Sequence, residues 1–222
     1  ALELPDRYFD NIIESFNISD LSIAVSELES DDQTDFIQKL EEHDITIANA
    51  VFEQLNKKDQ ADILELKQYK ETEAGAYMQT EVFYALKEEK TKDVIKRFAK
   101  LKANNSLENV QYLFVTNKDG KLDRGVGLDS LLIFDFEKSL DYNITTKKES
   151  FEPIFAYDTQ SIDEVVQQFQ EYDLSVLPIV DKNNILLGRI TSDDIYDIIN
   201  DQATEQMYNL AGVDDGAEED DN

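Results

Sequence analysis

Between residues 82 and 210 one order of elements is written twice. The first copy reads as a strand Val82-Phe83-Tyr84-Ala85, a helix from about 91 to 102 and a strand Tyr112-Leu113-Phe114-Val115. A turn at Asp119-Gly120 follows, then the β-rich runs Arg124-Gly125-Val126 and Leu131-Leu132-Ile133. The second copy reads as a strand Pro153-Ile154-Phe155-Ala156, a helix from Ser161 to Tyr172 and a buried strand Val176-Leu177-Pro178-Ile179-Val180. It continues with a turn at Asn183-Asn184, the strand Leu187-Gly188-Arg189-Ile190 and a long helix from Asp193 to about Leu210. Val94/Val165, Phe98/Phe169, Val115/Val180 and Gly125/Gly188 stand in matching places. Strands alternating with helices require a small α/β module, and a tandem copy requires two of them.

Upstream the texture is different. Pro and Gly are absent from 6 to 74, and Leu21, Val25 and Leu28, then Phe36, Ile37 and Leu40, then Ile47, Val51, Phe52 and Leu55 recur at helical spacing. A second, shorter repeat lies inside this region. Leu28, Asp32, Gln33 and Asp35 return as Leu55, Asp59, Gln60 and Asp62. A short helical repeat cannot bury its apolar face alone, so it stacks on its neighbours into a right-handed helical superhelix. Ser30 reads as an N-cap, with Gln33 completing a capping box.

Charge narrows the function. Lys+Arg number 21 against Asp+Glu 49, a formal net charge of −28. Such a surface repels phosphate backbones and anionic lipid, so no nucleic-acid partner is expected. Cys is 0 and His is 1. That removes disulfides, thiolate catalysis and cysteine zinc sites, and any bound metal must accept oxygen ligands, which means Mg²⁺, Ca²⁺ or Mn²⁺. No nucleophile–base pair and no phosphate-cradling loop is present, so no enzyme activity is expected. The apolar runs are far shorter than the ~18 residues a spanning helix needs, and no secretory signal is expected. His43, among Glu41, Glu42 and Asp44, reads as a surface residue between helices.

The long C-terminal helix carries a stripe. Asp194, Asp197, Asp201 and Glu205 fall within roughly 80° of one another on a helix turning about 100° per residue. No Lys or Arg occurs from 190 to 213. Like charges at this spacing weaken a helix by ~0.2–0.5 kcal/mol per pair. Two readings stand: a solvated face, or a set of carboxylates that share divalent ions with a facing acidic surface. Asp31, Asp32 and Asp35 form a second acidic edge near a helix start, where capping and dipole complementarity explain them equally well. Thr191 and Asp194 have the same duality: cap and first-turn acid, or phosphate and ribose ligands at a helix N-terminus.

The second α/β copy, Asp173-Leu174-Ser175-Val176-Leu177-Pro178-Ile179-Val180-Asp181 followed by Gly188-Arg189-Ile190-Thr191-Ser192-Asp193-Asp194-Ile195, resembles a CBS domain. Its flanks are more specific. Glu73-Ala74-Gly75-Ala76-Tyr77-Met78-Gln79-Thr80-Glu81 and Ala203-Thr204-Glu205-Gln206-Met207-Tyr208-Asn209-Leu210-Ala211-Gly212-Val213 resemble the stretches that open and leave the CBS pair of MgtE-type magnesium transporters. The resemblance implies a helical domain at 1–72, a first CBS domain at 73–142, a second at 143–200, the start of a helix toward an absent membrane domain at 201–213, and an acidic tail at 214–222. It implies a homodimer through the CBS domains at the cytoplasmic face of the cell membrane. It also implies a Mg²⁺-sensing region that gates uptake through ion-bridged compaction.

Residue by residue, Asp173, Asp163, Asp194, Asp197 and Glu205 match acidic positions of that family, and Asp201 continues the stripe. Gln202, Gln206 and Ser161 stand where the family has acidic ligands. Thr191 and Asp194 form its T-x-x-D, implying an adenine nucleotide, ATP or AMP, as an alternative ligand. In the first copy Leu128 and Leu131 replace that Thr and Asp. A nucleotide-sensing CBS module and a helical-repeat scaffold for a basic protein are the competing functions.

Overall fold

The computed structural model describes residues 9, 13, 15–104, 107, 110–147 and 150–211, without the side chains of 205 and 208–211. The expected acidic tail at 214–222 lies outside the described residues. Among the fully described elements four helices lead: α1 (Ile18–Ser26), α2 (Ser30–His43), α3 (Ile45–Gln54) and α4 (Lys57–Leu66). Asn17, Asp44 and Asn56 cap α1, α3 and α4 by accepting backbone N–H groups. Leu21, Val25, Phe36, Ile37, Leu40, Val51, Leu55 and Ile63 close into one core. The short repeat has a physical basis here. Gln33 Nε2 donates to the Leu28 carbonyl at 3.0 Å, and Gln60 Nε2 donates to the Leu55 carbonyl at 2.9 Å.

Two sequence expectations fail in this half. Ser30 is the first residue of α2 rather than its cap; Glu29 takes the cap position and makes no side-chain cap bond. The Ser30 hydroxyl is drawn elsewhere, donating to Glu81 Oε2 at 2.9 Å and accepting the Thr80 N–H at 2.8 Å. His43 ends α2 instead of lying in a loop, with its ring edge-on to Phe9 at 6.3 Å.

The first α/β unit holds β1 (Tyr84–Leu86), α5 (Thr91–Ala103), β2 (Tyr112–Thr116), β3 (Leu122–Gly127) and α6 (Leu140–Thr146). The second holds β4 (Ala156–Tyr157), α7 (Ile162–Tyr172), β5 (Val176–Val180), β6 (Leu186–Thr191) and α8 (Ser192–Ala211). Each sheet has three strands in sequence order, the first pair parallel and the second antiparallel. The duplication reaches the register. Phe114 faces Gly125 and Ile179 faces Gly188, and both ladders then slip, the second immediately after, at Ile179/Val180, and the first one pair later, at Val115/Thr116. Both hairpin turns are held alike, with Asn117 Oδ1 and Asp181 Oδ1 accepting two backbone N–H groups each. The two turn tips then bond to one another, Leu122 N to Asn184 O at 2.9 Å and Leu186 N to Gly120 O at 3.1 Å. The run Leu131-Leu132-Ile133 is not a strand. It lies in a 3₁₀ turn, Ser130–Ile133, because the Leu128 N–H turns to the Gln111 carbonyl and only Leu131 enters the core.

Each unit borrows a piece of chain. Phe151 packs in the core of the first unit. Leu66 at the end of α4, with Ala74 and Met78, packs in the core of the second. The helical stack is thereby fastened to the second unit, which sets α2 against α8. Among the described residues no helix is long and apolar enough to cross a membrane.

Candidate functional site

A narrow crevice of about 30 Å³ runs between the N-terminal part of α2 and the first turns of α8. Asp31, Asp32 and Asp35 line one wall and Asp194, Asp197 and Asp201 the other, with Ala76, Tyr77 and Ile198 between them. Helical spacing puts three carboxylates on one face of each helix, and the Leu66–Ala74–Met78 anchor turns those faces toward each other. The two acidic edges of the sequence are one site in the fold. The volume is about that of one water in the liquid.

Burial makes these charges costly. Desolvation pushes the Asp31 carboxyl well above its ordinary 3.8, and the charges of Asp194 and Asp32 push it further. Desolvation also raises Asp35 to about 6, with Asp32, Glu71 and Asp201 adding to it. Asp194 rises for the same first reason, against the Thr191 hydrogen bonds that hold it down. The Tyr77 phenol is pushed up by burial and then by Glu71, Asp35, Asp201 and Asp163. Asp31 Oδ1 is fully buried and has no hydrogen-bond partner among the described residues. A buried carboxylate oxygen of this kind is stabilised by a proton or a cation. No group of three or more His, Asp or Glu side chains is gathered closely enough, among the described residues, to enclose an ion directly.

The remaining sequence candidates fall into different places. Asp163, on the first turn of α7, accepts a 2.8 Å bond from Gln202 Nε2 and so ties α7 to α8. Asp173 closes α7 in the left-handed conformation, φ 51°, at an exposed position outside the crevice. Glu205 lies on α8, with its side chain outside the described residues. Thr191 and Asp194 form one half of a capping box: the Thr191 N–H donates to Asp194 Oδ2 at 2.8 Å, and the Thr191 hydroxyl lies 2.7 Å from the same oxygen and 2.6 Å from Asp193 Oδ1. Thr191 also borders a second cleft, of about 230 Å³, with Gln111, Ser175, Val176 and Asp193. In the first unit Leu131 is core, 4% exposed, so its side chain is spent on packing.

Three residues beside the crevice escaped the sequence reading: Glu29, Gln79 and Arg189. The signal was present, since Arg189 is a lone cation within an apolar strand. Its side chain is 3% exposed and lies 3.6 Å from Glu29 Oε1. Burial raises Glu29 to about 7 even though Arg189 pulls it down, because Asp194, Glu81 and Asp193 surround it.

Comparison with known proteins agrees with this architecture. Residues 1–72 match the family model described as the MgtE intracellular N domain, and residues 144–201 match the CBS domain model. The magnesium transporter MgtE of Thermus thermophilus is 30% identical over 186 residues, covering 83% of this chain and 39% of that protein. The chain belongs to the MgtE family. The magnesium transporter MgtE of Enterococcus faecalis is 30% identical over 153 residues, covering 69% of this chain and 32% of that protein. The crystal structure of the cytosolic domain of the Mg²⁺ channel MgtE in complex with ATP superposes with a TM-score of 0.78 at 23% identity, over 88% of this chain and 76% of that one. The chain thus has the fold of an MgtE cytosolic domain, and it spans less than half the length of these two curated relatives.

Proposed function

We propose that this chain is the Mg²⁺-sensing, non-catalytic regulatory region of a magnesium transporter, and that divalent ions hold its helical domain against the CBS pair. The observation that carries the reading is the buried Oδ1 of Asp31, without a hydrogen-bond partner among the described residues, in a crevice lined by six aspartates from both sides. The donor set fits a hard cation: every candidate ligand is a carboxylate oxygen. Asp31, Asp32, Asp35, Asp194, Asp197 and Asp201 would hold it, with Asp163, Asp173 and Glu205 as outlying acidic positions. Mg²⁺ keeps several of its waters and takes one or two carboxylates, which suits a crevice without a closed ligand set. Ca²⁺ and Mn²⁺ share the chemistry. The ion needs only to bind the docked form better than the separated one, and several weak sites together can supply the ~5.5 kcal/mol that moves a 1:99 equilibrium to 99:1. In this reading residues 1–72 swing on a CBS pair at 73–142 and 143–200. The C-terminal helix leads to a membrane domain, and the CBS domains form a homodimer at the cytoplasmic face.

Small-angle scattering across a MgCl₂ titration at fixed ionic strength tests it, with CaCl₂ and NaCl as controls. A radius of gyration that falls over millimolar Mg²⁺ but not with NaCl is the expected result. A flat curve refutes ion-driven docking.

A second reading, an adenine-nucleotide sensor, is supported by the cleft at Thr191, where a hydroxyl stands at the start of α8. The structural relative with ATP makes ATP and AMP the ligands to try first. A melting shift with nucleotide in chelator, lost in Thr191→Ala, would favour it.

A further inference from the structure

Between Ile63 and Tyr69 the chain changes the part of the molecule it serves. Ile63, 0% exposed, packs in the core of the helical stack. Leu66, on the same helix and 1% exposed, packs in the core of the second α/β unit. Positions three apart lie on one helix face, so a single face of α4 enters two cores. Among the described residues, Leu66 is the one member of α1 to α4 in that second core. The next residues are tied to one side and then the other. Lys67 makes an ion pair with Glu41 of α2. Tyr69 turns to the second unit. Its hydroxyl donates to Asp158 Oδ2 at 3.2 Å, and its ring lies against Gly75, where a Cβ would stand 2.5 Å from Tyr69 Cδ1. From there the backbone is woven into the second unit. Ile162 N donates to Thr72 O at 3.0 Å and Ala74 N to Gln160 O at 2.8 Å, and the backbones of Gln79 and Arg189 bond in both directions at 2.8 and 2.9 Å. Gln68, exposed, stands where the allegiance changes.

We infer that Leu66 is a withdrawable plug: it seats in the core of the second unit only while the helical domain is docked, and the domain turns about Gln68. This rests on the ion-sensing reading above and adds the joint on which it works. α4 travels with α1 to α3, because Gln60 Nε2 donates to the Phe52 and Leu55 carbonyls, both at 2.9 Å, and Ile63 lies in their core. The described bonds from α4 to the entry segment are polar: Thr80 Oγ1 to Asp62 at 2.9 Å, and Lys58 with Glu81 at 3.3 Å. Water replaces such bonds on separation, so they favour the docked form only weakly. Nothing replaces the burial of Leu66. Its withdrawal exposes an apolar side chain and leaves a void beside Ala74 and Met78, and both effects favour the docked form. The plug carries no charge, so its contribution does not depend on ion concentration. Ions supply the attraction across the crevice, and Leu66 sets how much of it docking requires.

The test is the same scattering titration on wild type, Leu66→Ala, Leu66→Val and Leu177→Ala, with the melting of each recorded in Mg²⁺ and in chelator. A contact made only in the docked form shifts the docking equilibrium, whereas one made in both forms changes stability alone. Leu66→Ala should raise the Mg²⁺ midpoint roughly three- to tenfold. It should also lower the melting temperature more in Mg²⁺ than in chelator. Leu66→Val should do the same to a smaller degree, and it covers the case in which the alanine variant fails to fold. Leu177, on β5 and 0% exposed, belongs to the same core but stays within the second unit. Its alanine should lower melting alike in both conditions and leave the midpoint near that of the wild type. A midpoint unchanged or lowered in the Leu66 variants, with melting lowered equally in Mg²⁺ and chelator, overturns the inference. A midpoint shift in Leu177→Ala as large as in Leu66→Ala overturns it too. A flat wild-type titration instead sinks the ion-sensing reading itself.

Discussion

The hydroxyl of Ser30 and the carboxylate of Glu81 are joined at 2.9 Å, across the boundary between the helical stack and the segment that enters the α/β units. The same hydroxyl accepts the Thr80 N–H at 2.8 Å, while Thr80 Oγ1 donates to Asp62 at 2.9 Å. One serine thus fixes the start of α2 relative to the entry segment. Ser30→Ala removes an acceptor from a part-buried N–H and a donor from a part-buried carboxylate. A loss of about 1–2 kcal/mol is expected, read as a lower melting temperature and faster hydrogen exchange at Thr80. Exchange at Thr80 that stays at the wild-type rate would show that the contact is not formed in solution.

The crevice predicts a pH dependence with a definite sign. Asp35 moves from 3.8 to about 6 and Glu29 from 4.5 to about 7, mainly through burial. The docked form therefore binds more protons than a separated form across roughly pH 4 to 7. Its stability is highest below that window and falls as pH climbs through it. In chelator, the docked fraction should rise when pH is lowered from 8 to 5. With saturating Mg²⁺ the dependence should flatten, since ions then neutralise the same oxygens. Scattering at several pH values, with and without Mg²⁺, decides it; equal slopes in both conditions would separate these carboxylates from the ion sites.

Gly188 carries a packing prediction. Its alanine would bring a methyl to 2.6 Å from Gln79 O and 3.0 Å from Met78 Sδ, and the first of these is backbone. The strand must shift, breaking the two-way Gln79–Arg189 bridge. A destabilisation of about 1–3 kcal/mol is expected, by thermal melting of the second unit. Gly125, the matching residue, would meet only Pro153 Cβ at 3.5 Å, so Gly125→Ala should be nearly neutral and serves as the control.

Much of the fold could be read from the chain because its signals are local. The paired strands, both hairpin turns and the long last helix each rest on a few adjacent residues, and the Gln33/Gln60 repeat encodes a contact within five positions. The failures are long-range. Ser30 looked like a cap until Glu81, fifty-one positions away, took its hydroxyl. Leu131 to Ile133 looked like a strand because apolar runs do not state whether a partner edge exists. Asp31, Asp32 and Asp35 were visible as acids and Asp194, Asp197 and Asp201 as a stripe, but their meeting depends on Leu66, Ala74 and Met78 docking in the second core, which no spacing rule expresses. Arg189 stands out locally as a cation in an apolar strand, but Glu29 lies 160 positions away, so no local pattern names it as the partner.

The sharpest prediction concerns the crevice charges themselves. Asp194→Asn with Asp197→Asn removes two of the six aspartates while keeping an oxygen at each place, so the Thr191 N–H at Asp194 still has an acceptor. Two charges fewer means less repulsion across α2 and α8, and fewer ligands for an ion. The double variant should dock more readily in chelator and respond less to Mg²⁺, both effects appearing in one scattering series. The combination is what discriminates. A simple loss of stability would lower docking in chelator too, and a purely solvated face would leave both quantities where they are in the wild type. If docking in chelator rises while the Mg²⁺ response keeps its full amplitude and midpoint, the ions bind elsewhere, and Asp163 and Asp173 become the next carboxylates to neutralise.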